Sequence, residues 1–311
     1  MSYAPIALFI YRRPEHTRRT IEALKCCPEF AESPVFVFCD GPRKAADEPA
    51  VQETRSVARE ALMGQAQFVE SLKNKGLAVS IIEGVSQLCA QYGRAVVVED
   101  DLVVASQFLT FMNSGLDRYA QEARVMQISG HMFPVPAFQN RNGALFLPFT
   151  TSWGWATWAR AWQHFDEHVN GWERLEQDAS LRRCFNLGGS FDYYGMLKLQ
   201  LAGKIDSWAI RWYWSVFMRD GLALYPPRTL VSNEGFDGSG THGWRSARRG
   251  MHGHSEKNAQ IPALPDTVSV SEDELAYVRL SLLAMRGGVG RRALKALKSA
   301  ASKLVTALNS R

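Results

Sequence analysis

The sequence predicts an α/β fold, a mainly parallel sheet with helices on its faces, and three observations carry that prediction. Short apolar runs rich in β-forming residues alternate with amphipathic segments of helical length through the first half of the chain. Three of those runs stop at polar or charged clusters, the pattern of strands whose carboxyl ends line a ligand site. The composition of the 311 residues, 46% hydrophobic, 11% aromatic and 22% charged, is that of a chain with a large buried core and excludes disorder as its main state.

Each element has its own signal. Residues 5–11 (PIALFIY) form an apolar strand, followed by Pro14 where a first helical turn tolerates proline and by Thr17, Ile21 and Leu24 at helical spacing. Residues 34–40 (PVFVFCD) make a second strand, stopped by Gly41-Pro42. Residues 47–63 and 77–92 are amphipathic helices. Residues 95–98 (AVVV) form a third strand, ended by Glu99-Asp100-Asp101, and a helix over 108–119 and a strand over 125–129 follow.

The second half changes character. Eight of the nine tryptophans fall between positions 149 and 214. Trp158, Trp162, Trp208 and Trp212 are expected in the core, whereas Trp153 and Trp155, on either side of Gly154, are candidates for stacking on a sugar face. A glycine-rich stretch over 233–243 (NEGFDGSGTHG) reads as a mobile loop and is not a phosphate-binding P-loop, since no Gly-Lys-Ser/Thr follows. A proline-punctuated linker over 261–266 then leads to a short helix and a basic tail.

Charge and cysteine usage exclude further classes. The net charge of +5 is concentrated in residues 286–311, which hold seven basic side chains and no acidic one, leaving 29 basic against 31 acidic elsewhere. The body therefore carries no nucleic-acid footprint. In the tail Leu294, Leu297, Leu304 and Leu308 share one helical face ringed by Lys295, Lys298 and Lys303. That is the pattern of a helix resting on an anionic membrane surface, with a solvated or dimerising helix as the alternative. No apolar run approaches the ~18 residues of a membrane span, and the first residues lack the order of a signal peptide. The five cysteines show neither zinc-site nor disulfide-framework spacing, so the expected location is a reducing cytoplasm, with peripheral attachment to the inner face of the membrane.

The chemistry-bearing residues sit at the strand ends. Clustered carboxylates after an apolar strand suit a hard cation, Mn²⁺ or Mg²⁺, which bridges phosphate oxygens; the bland alternative is an acidic turn. Asp40 is either a ligand-site carboxylate or a turn residue before Gly41-Pro42, and Arg13 either an anion contact or a solvated arginine at a helix start. Asp192 precedes an apolar helical run, as an N-cap does.

AVVVEDDL (95–102), with Val104-Ala105 and the aromatic-containing helix after it, closely resembles the metal-binding segment of the α-1,3-mannosyl-glycoprotein N-acetylglucosaminyltransferase family. Upstream, PIALFIYRRPEHTRR resembles that family's first strand and helix and PVFVFCDGP its second strand. Downstream, SWGW, SFDY and THG fall in the family's order, so the resemblance spans about residues 4–245. It implies a glycosyltransferase of the GT-A fold, a bacterial relative, with the acidic triplet as a form of the DXD motif. It also implies a metal-dependent inverting transfer from a nucleotide-sugar donor, UDP-linked, to a hydroxyl of a glycan acceptor. Position by position, Asp101 corresponds to the carboxylate that binds Mn²⁺, Glu99 and Asp100 to contacts with the donor's sugar and ribose, and Asp40 to a uracil contact. Arg13 corresponds to a nucleotide contact and Asp192 to the general base, while His242 lies in a loop that closes over the donor. A helix histidine that meets the uracil in the family is replaced by Ala78 here.

The expected organisation is a catalytic domain over 1–260, its nucleotide-sugar half about 1–130 and its acceptor-side half about 131–260, then a linker and tail over 261–311. The expected setting is surface polysaccharide or lipopolysaccharide assembly, with an acceptor that can be lipid-linked. Two other classes stay open. One is a sugar-nucleotide nucleotidyltransferase, although YRRPEH (11–16) stands where its glycine-rich basic loop is expected. The other is a non-catalytic glycan- or membrane-binding module.

Overall fold

The computed structural model describes residues 2–236 and 261–285. In chain order the strands and helices are β1 (Ile6–Ile10), α1 (Pro14–Lys25), β2 (Val35–Cys39), α2 (Glu48–Leu62), β3 (Ala66–Glu70), α3 (Leu77–Tyr92), β4 (Arg94–Glu99), β5 (Leu102–Val104), α4 (Phe108–Arg118) and β6 (Val125–Ser129). There follow β7 (Leu145–Leu147), β8 (Trp155–Trp158), α5 (Ala159–Trp162), α6 (Arg174–Gln177), α7 (Ala179–Phe185), α8 (Tyr193–Leu201), α9 (Trp208–Phe217), β9 (Leu222–Tyr225), β10 (Val231–Asn233) and α10 (Glu272–Met285). The expected α/β class holds.

Eight strands form one sheet in the order β3-β2-β1-β4-β8-β6-β9-β7. β1, β2, β3, β4, β6 and β9 run one way, and only β7 and β8 run against them. The antiparallel β8, from the tryptophan-rich region, is inserted between β4 and β6, so the sheet continues without a break across position 130. A small second sheet pairs β10 antiparallel with β5, joining distant parts of the chain just past the acidic triplet.

β1 and β2 are continuously apolar because both of their faces are covered, and β6, with Gln127 and Ser129 among its residues, is buried at every position as well. α1 starts on Pro14, where a missing N–H costs nothing, and α3 stops at Gly93 in the left-handed conformation, which glycine reaches without a Cβ penalty. Two apolar clusters result. The larger follows the strands from β1 to β6 and takes in Trp155, Trp158, Trp162, Trp208 and Trp212; the smaller holds Phe149, Phe185, Tyr213, Trp214 and Tyr225. Residues 261–285 belong to this packed body rather than forming a free linker. Leu275, Val278 and Leu282 are buried in the smaller cluster, Ala144 N–H donates to the Ala263 carbonyl at 2.9 Å, and Arg141 pairs with Glu274. The amphipathic tail over 286–311 lies outside the described residues.

Candidate active site

The chain leaves β1 toward β2 on one side and reaches β4 on the other, so β1 and β4 flank a topological switch point. Connections diverge there and leave a crevice at the carboxyl ends of the strands. Arg13 arrives from the end of β1 and Glu99, Asp100 and Asp101 from the end of β4, and the register pairs Phe9 with Glu99.

The structure brings Arg13 and the triplet together. Arg13 Nη1 lies 2.8 Å from Asp101 Oδ2 and 3.8 Å from Asp100 Oδ1. Tyr11 N–H donates to Asp100 Oδ2 at 3.1 Å, and the Thr20 hydroxyl donates to the Asp100 carbonyl at 2.8 Å. These bonds fix the backbone of the turn from two elements, β1's end and α1. Burial first, then the charge on Asp101, pushes the Asp100 carboxyl up to about 7 against the opposing pull of Arg13. Glu99 is pushed well above the usual carboxylate range by burial and then by Asp101 and Asp100. Three carboxyls crowd one guanidinium in a desolvated crevice, and burial together with the neighbouring charge holds Glu99 and Asp100 in their protonated forms to higher pH than free carboxyls.

One oxygen stands apart. Asp101 Oδ1 is buried and accepts no hydrogen bond. A buried carboxylate oxygen without a donor is costly unless a cation completes it, and hard oxygen donors match Mg²⁺ or Mn²⁺. The donor set therefore fits a divalent cation. Among the described residues no group of three His, Cys, Asp or Glu side chains converges as a complete metal cage.

Asp40 has a different surrounding. Its Oδ1 accepts from Gly41 N and Lys75 N at 2.8 Å each, and its Oδ2 from Asn74 Nδ2 at 2.8 Å and Gly76 N at 3.0 Å. The loop is drawn so close that a Cβ on Gly41 would stand 2.6 Å from the Lys73 carbonyl carbon. The turn reading of Asp40 thus describes its bonds here: all four go to the β2 and β3 loops. Asn74 and Gly76 were not singled out from the sequence, although Asn-Lys-Gly before a helix is a turn signature. Tyr11 was missed too. Its hydroxyl donates to Asp47 Oδ2 at 3.0 Å and accepts from Arg43 N at 3.1 Å, while Arg12 Nη1 bonds Asp47 Oδ1 at 2.7 Å. The group braces the chain leaving β2.

The two tryptophans considered for sugar stacking part company. Trp155 is 0% exposed, stacked on Trp208 at 5.0 Å with Trp162 and Trp212 behind it. No ligand reaches that face, and the expectation for Trp155 is corrected: as the first residue of β8 it points into the sheet's core. Gly154, at φ +59, turns the chain between them, and Trp153 stays half-buried, its ring 4.3 Å from that of His131 and 5.8 Å from that of Phe236. Asp192 is the N-cap of α8, its Oδ1 accepting from Gly195 N at 3.0 Å, and it makes no bond to the acidic triplet. His242 lies outside the described residues.

No protein-family model matches the chain, and no curated protein does. Among solved structures it is similar to the galactosyltransferase LgtC, determined in complex with donor and acceptor sugar analogs, at 11% identity and a TM-score of 0.32 over 56% of this chain and 65% of that one. The similarity thus spans less than two thirds of the LgtC chain. A mannose-1-phosphate geranyltransferase from Thermus thermophilus is similar at 10% identity and a TM-score of 0.37, covering 74% of this chain and 76% of that one. Neither likeness bears on the chemistry, which rests on the residues of the crevice.

Proposed function

We propose that the chain is a metal-dependent GT-A glycosyltransferase that moves a sugar from a nucleoside-diphosphate donor, UDP-linked, to a hydroxyl of a glycan acceptor. One observation carries the proposal: at the β1/β4 switch point an arginine and a crowded acidic triplet meet, and Asp101 presents a buried oxygen with no protein partner.

In this reading Asp101 holds Mn²⁺ or Mg²⁺, and the cation, when bound, supplies charge neutralisation for the departing diphosphate. Arg13 takes a second share of that charge, so its bond to Asp101 is exchanged for one to phosphate. Glu99 and Asp100 contact the hydroxyls of the donor's sugar and ribose as hydrogen-bond partners. Asp40 acts on the nucleoside through the loop it ties together, and Trp153 offers a half-buried ring for a sugar face. Asp192 takes the proton of the acceptor hydroxyl as the new bond forms on the opposite face of the anomeric carbon, which inverts the configuration. That role requires the carboxylate to keep one oxygen free of its helix-capping bond, and Oδ2 meets the requirement on the bonds it makes here. His242, the glycan acceptor in surface polysaccharide assembly, and attachment of the tail to an anionic inner membrane face complete the proposal.

A thermal-shift screen of UDP-, GDP-, dTDP- and CMP-sugars with and without Mn²⁺ tests it. A donor far above its dissociation constant stabilises the fold by ~3 kcal/mol, a readable shift. The expected result is a shift for one nucleotide class, UDP, only with Mn²⁺. No shift with any donor overturns the reading, and pyrophosphate formation from a nucleoside triphosphate and a sugar phosphate replaces it with nucleotidyl transfer.

A further inference from the structure

We infer that Gly235 is a positioning residue of this site: its bare Cα is the surface against which the Asp101 carboxylate and the Arg13 guanidinium are seated. The inference deepens the donor-site reading and rests on it for the ligand, but not for the seating itself.

The segment that carries Gly235 comes from the far end of the sheet and is stitched onto the acidic turn. β10 pairs residue by residue with β5, Val231 with Val104, Ser232 with Val103 and Asn233 with Leu102. The stitching continues past the strands: Glu234 N–H donates to the Asp101 carbonyl at 2.8 Å, and the Glu234 carboxylate pairs with Arg19 of α1. Gly235 N–H then donates to Asn233 Oδ1 at 2.8 Å, and the Phe236 ring lies 5.8 Å from Trp153. The chain entering Gly235 is thereby tied to the Asp101 backbone, and the Gly235 Cα comes up against the Asp101 carboxylate.

No room is left for a side chain. A Cβ at 235 would overlap Asp101 Oδ2, stand 2.9 Å from its Cγ and stand 3.0 Å from Arg13 Nη1. Gly235 is not among the glycines with positive φ, so its backbone conformation is open to any residue. Glycine is required by the space and not by the torsion. An added methyl has two ways out. Asp101 turns away from Arg13, which moves the very oxygens that face the crevice, or the segment lifts and breaks the Glu234–Asp101 bond. Both change where Oδ1 and the guanidinium point. This contact joins positions far apart in sequence, so a residue of the acceptor-side half sets the geometry of the donor-side acids.

A double-mutant cycle in metal-free thermal unfolding tests the seating. Gly235→Ala is expected to lower the Tm by a few degrees in the wild type and to leave it nearly unchanged in Asp101→Ala, where the overlapped oxygens are gone. Should Gly235→Ala fail to fold, the Asp101→Ala/Gly235→Ala protein is still expected to fold. An equal loss in both backgrounds, failure of both to fold, or no loss in either overturns the inference. Calorimetry with UDP and Mn²⁺ supplies the second arm: Gly235→Ala is expected to weaken binding at least tenfold, and unchanged affinity overturns its role toward the ligand. A wild type that does not bind UDP with Mn²⁺, together with intact coupling in the cycle, removes the donor-site reading and leaves the seating standing.

Discussion

Asp40 and Asp101 both stand at the carboxyl ends of apolar strands in one sheet, yet Asp40 accepts four hydrogen bonds and Asp101 keeps a buried oxygen that accepts none. The end of β2 is finished by its own loops: Asn74, Lys75 and Gly76 fold back and use every direction the carboxylate offers. The end of β4 is unfinished, with more carboxyls than the one arginine beside it can neutralise. The same local pattern, hydrophobic strand then aspartate, is thus saturated with donors at one place and left with an unfilled acceptor at the next. What separates them is the supply of donors, and that supply comes from residues distant in sequence.

The largest expected effect breaks the finished end. Asp40→Ala strips four bonds from a carboxylate that is 9% exposed and leaves loop donors without acceptors, a loss of about 3 kcal/mol by denaturant unfolding. Wild-type stability in that variant would show that the loops hold themselves. Asn74→Ala removes the two bonds its amide makes, to Asp40 Oδ2 and the Gly41 carbonyl, and should cost about 1–2 kcal/mol in the same experiment.

The unfinished end responds to pH instead. Asp100 titrates near 7 in the folded protein, above its unfolded value, so between about pH 4 and pH 7 the folded state holds a proton that the unfolded chain has released. Metal-free protein should therefore lose stability as pH rises through that window, with Glu99, also pushed up by burial, adding to the decline in the same direction. Asp100→Asn should flatten the decline, and an unchanged slope in Tm against pH would place the titration elsewhere. Smallest is the stability effect of Asp101→Asn, within about 1 kcal/mol, because losing one of three crowded carboxyls relieves the other two while Arg13 keeps Asp100.

Much of the architecture of the first half was legible in the sequence, for a physical reason. β1, β2 and the centre of β4, residues 95–98, are buried and read as unbroken apolar runs, and α3 spans the same residues, 77–92, that its periodicity marks. β3 was not legible: as an edge strand with only Ala66 and Phe68 partly covered, it carries no strong pattern. β5 and β10 are three residues each and exist by pairing with one another. In the site, the approach of Arg13 to the acidic triplet follows from strand order, which the run of alternating elements already suggests. Tertiary facts were hidden. Trp153 and Trp155 are separated by one glycine's torsion, which leaves one half-buried beside His131 and Phe236 and turns the other into the core. The saturation of Asp40 depends on Asn74, and the seat under Asp101 on Gly235; neither contact has a local signature.

The central claim is that Asp101 completes a cation site for a nucleoside diphosphate. Mn²⁺ titration followed by electron paramagnetic resonance, in the presence of UDP, compares wild type with Asp101→Asn most directly. The account predicts that the wild type takes up one Mn²⁺ that depends on UDP and that Asp101→Asn, equally stable, takes up none. Equal uptake by the two proteins would contradict it.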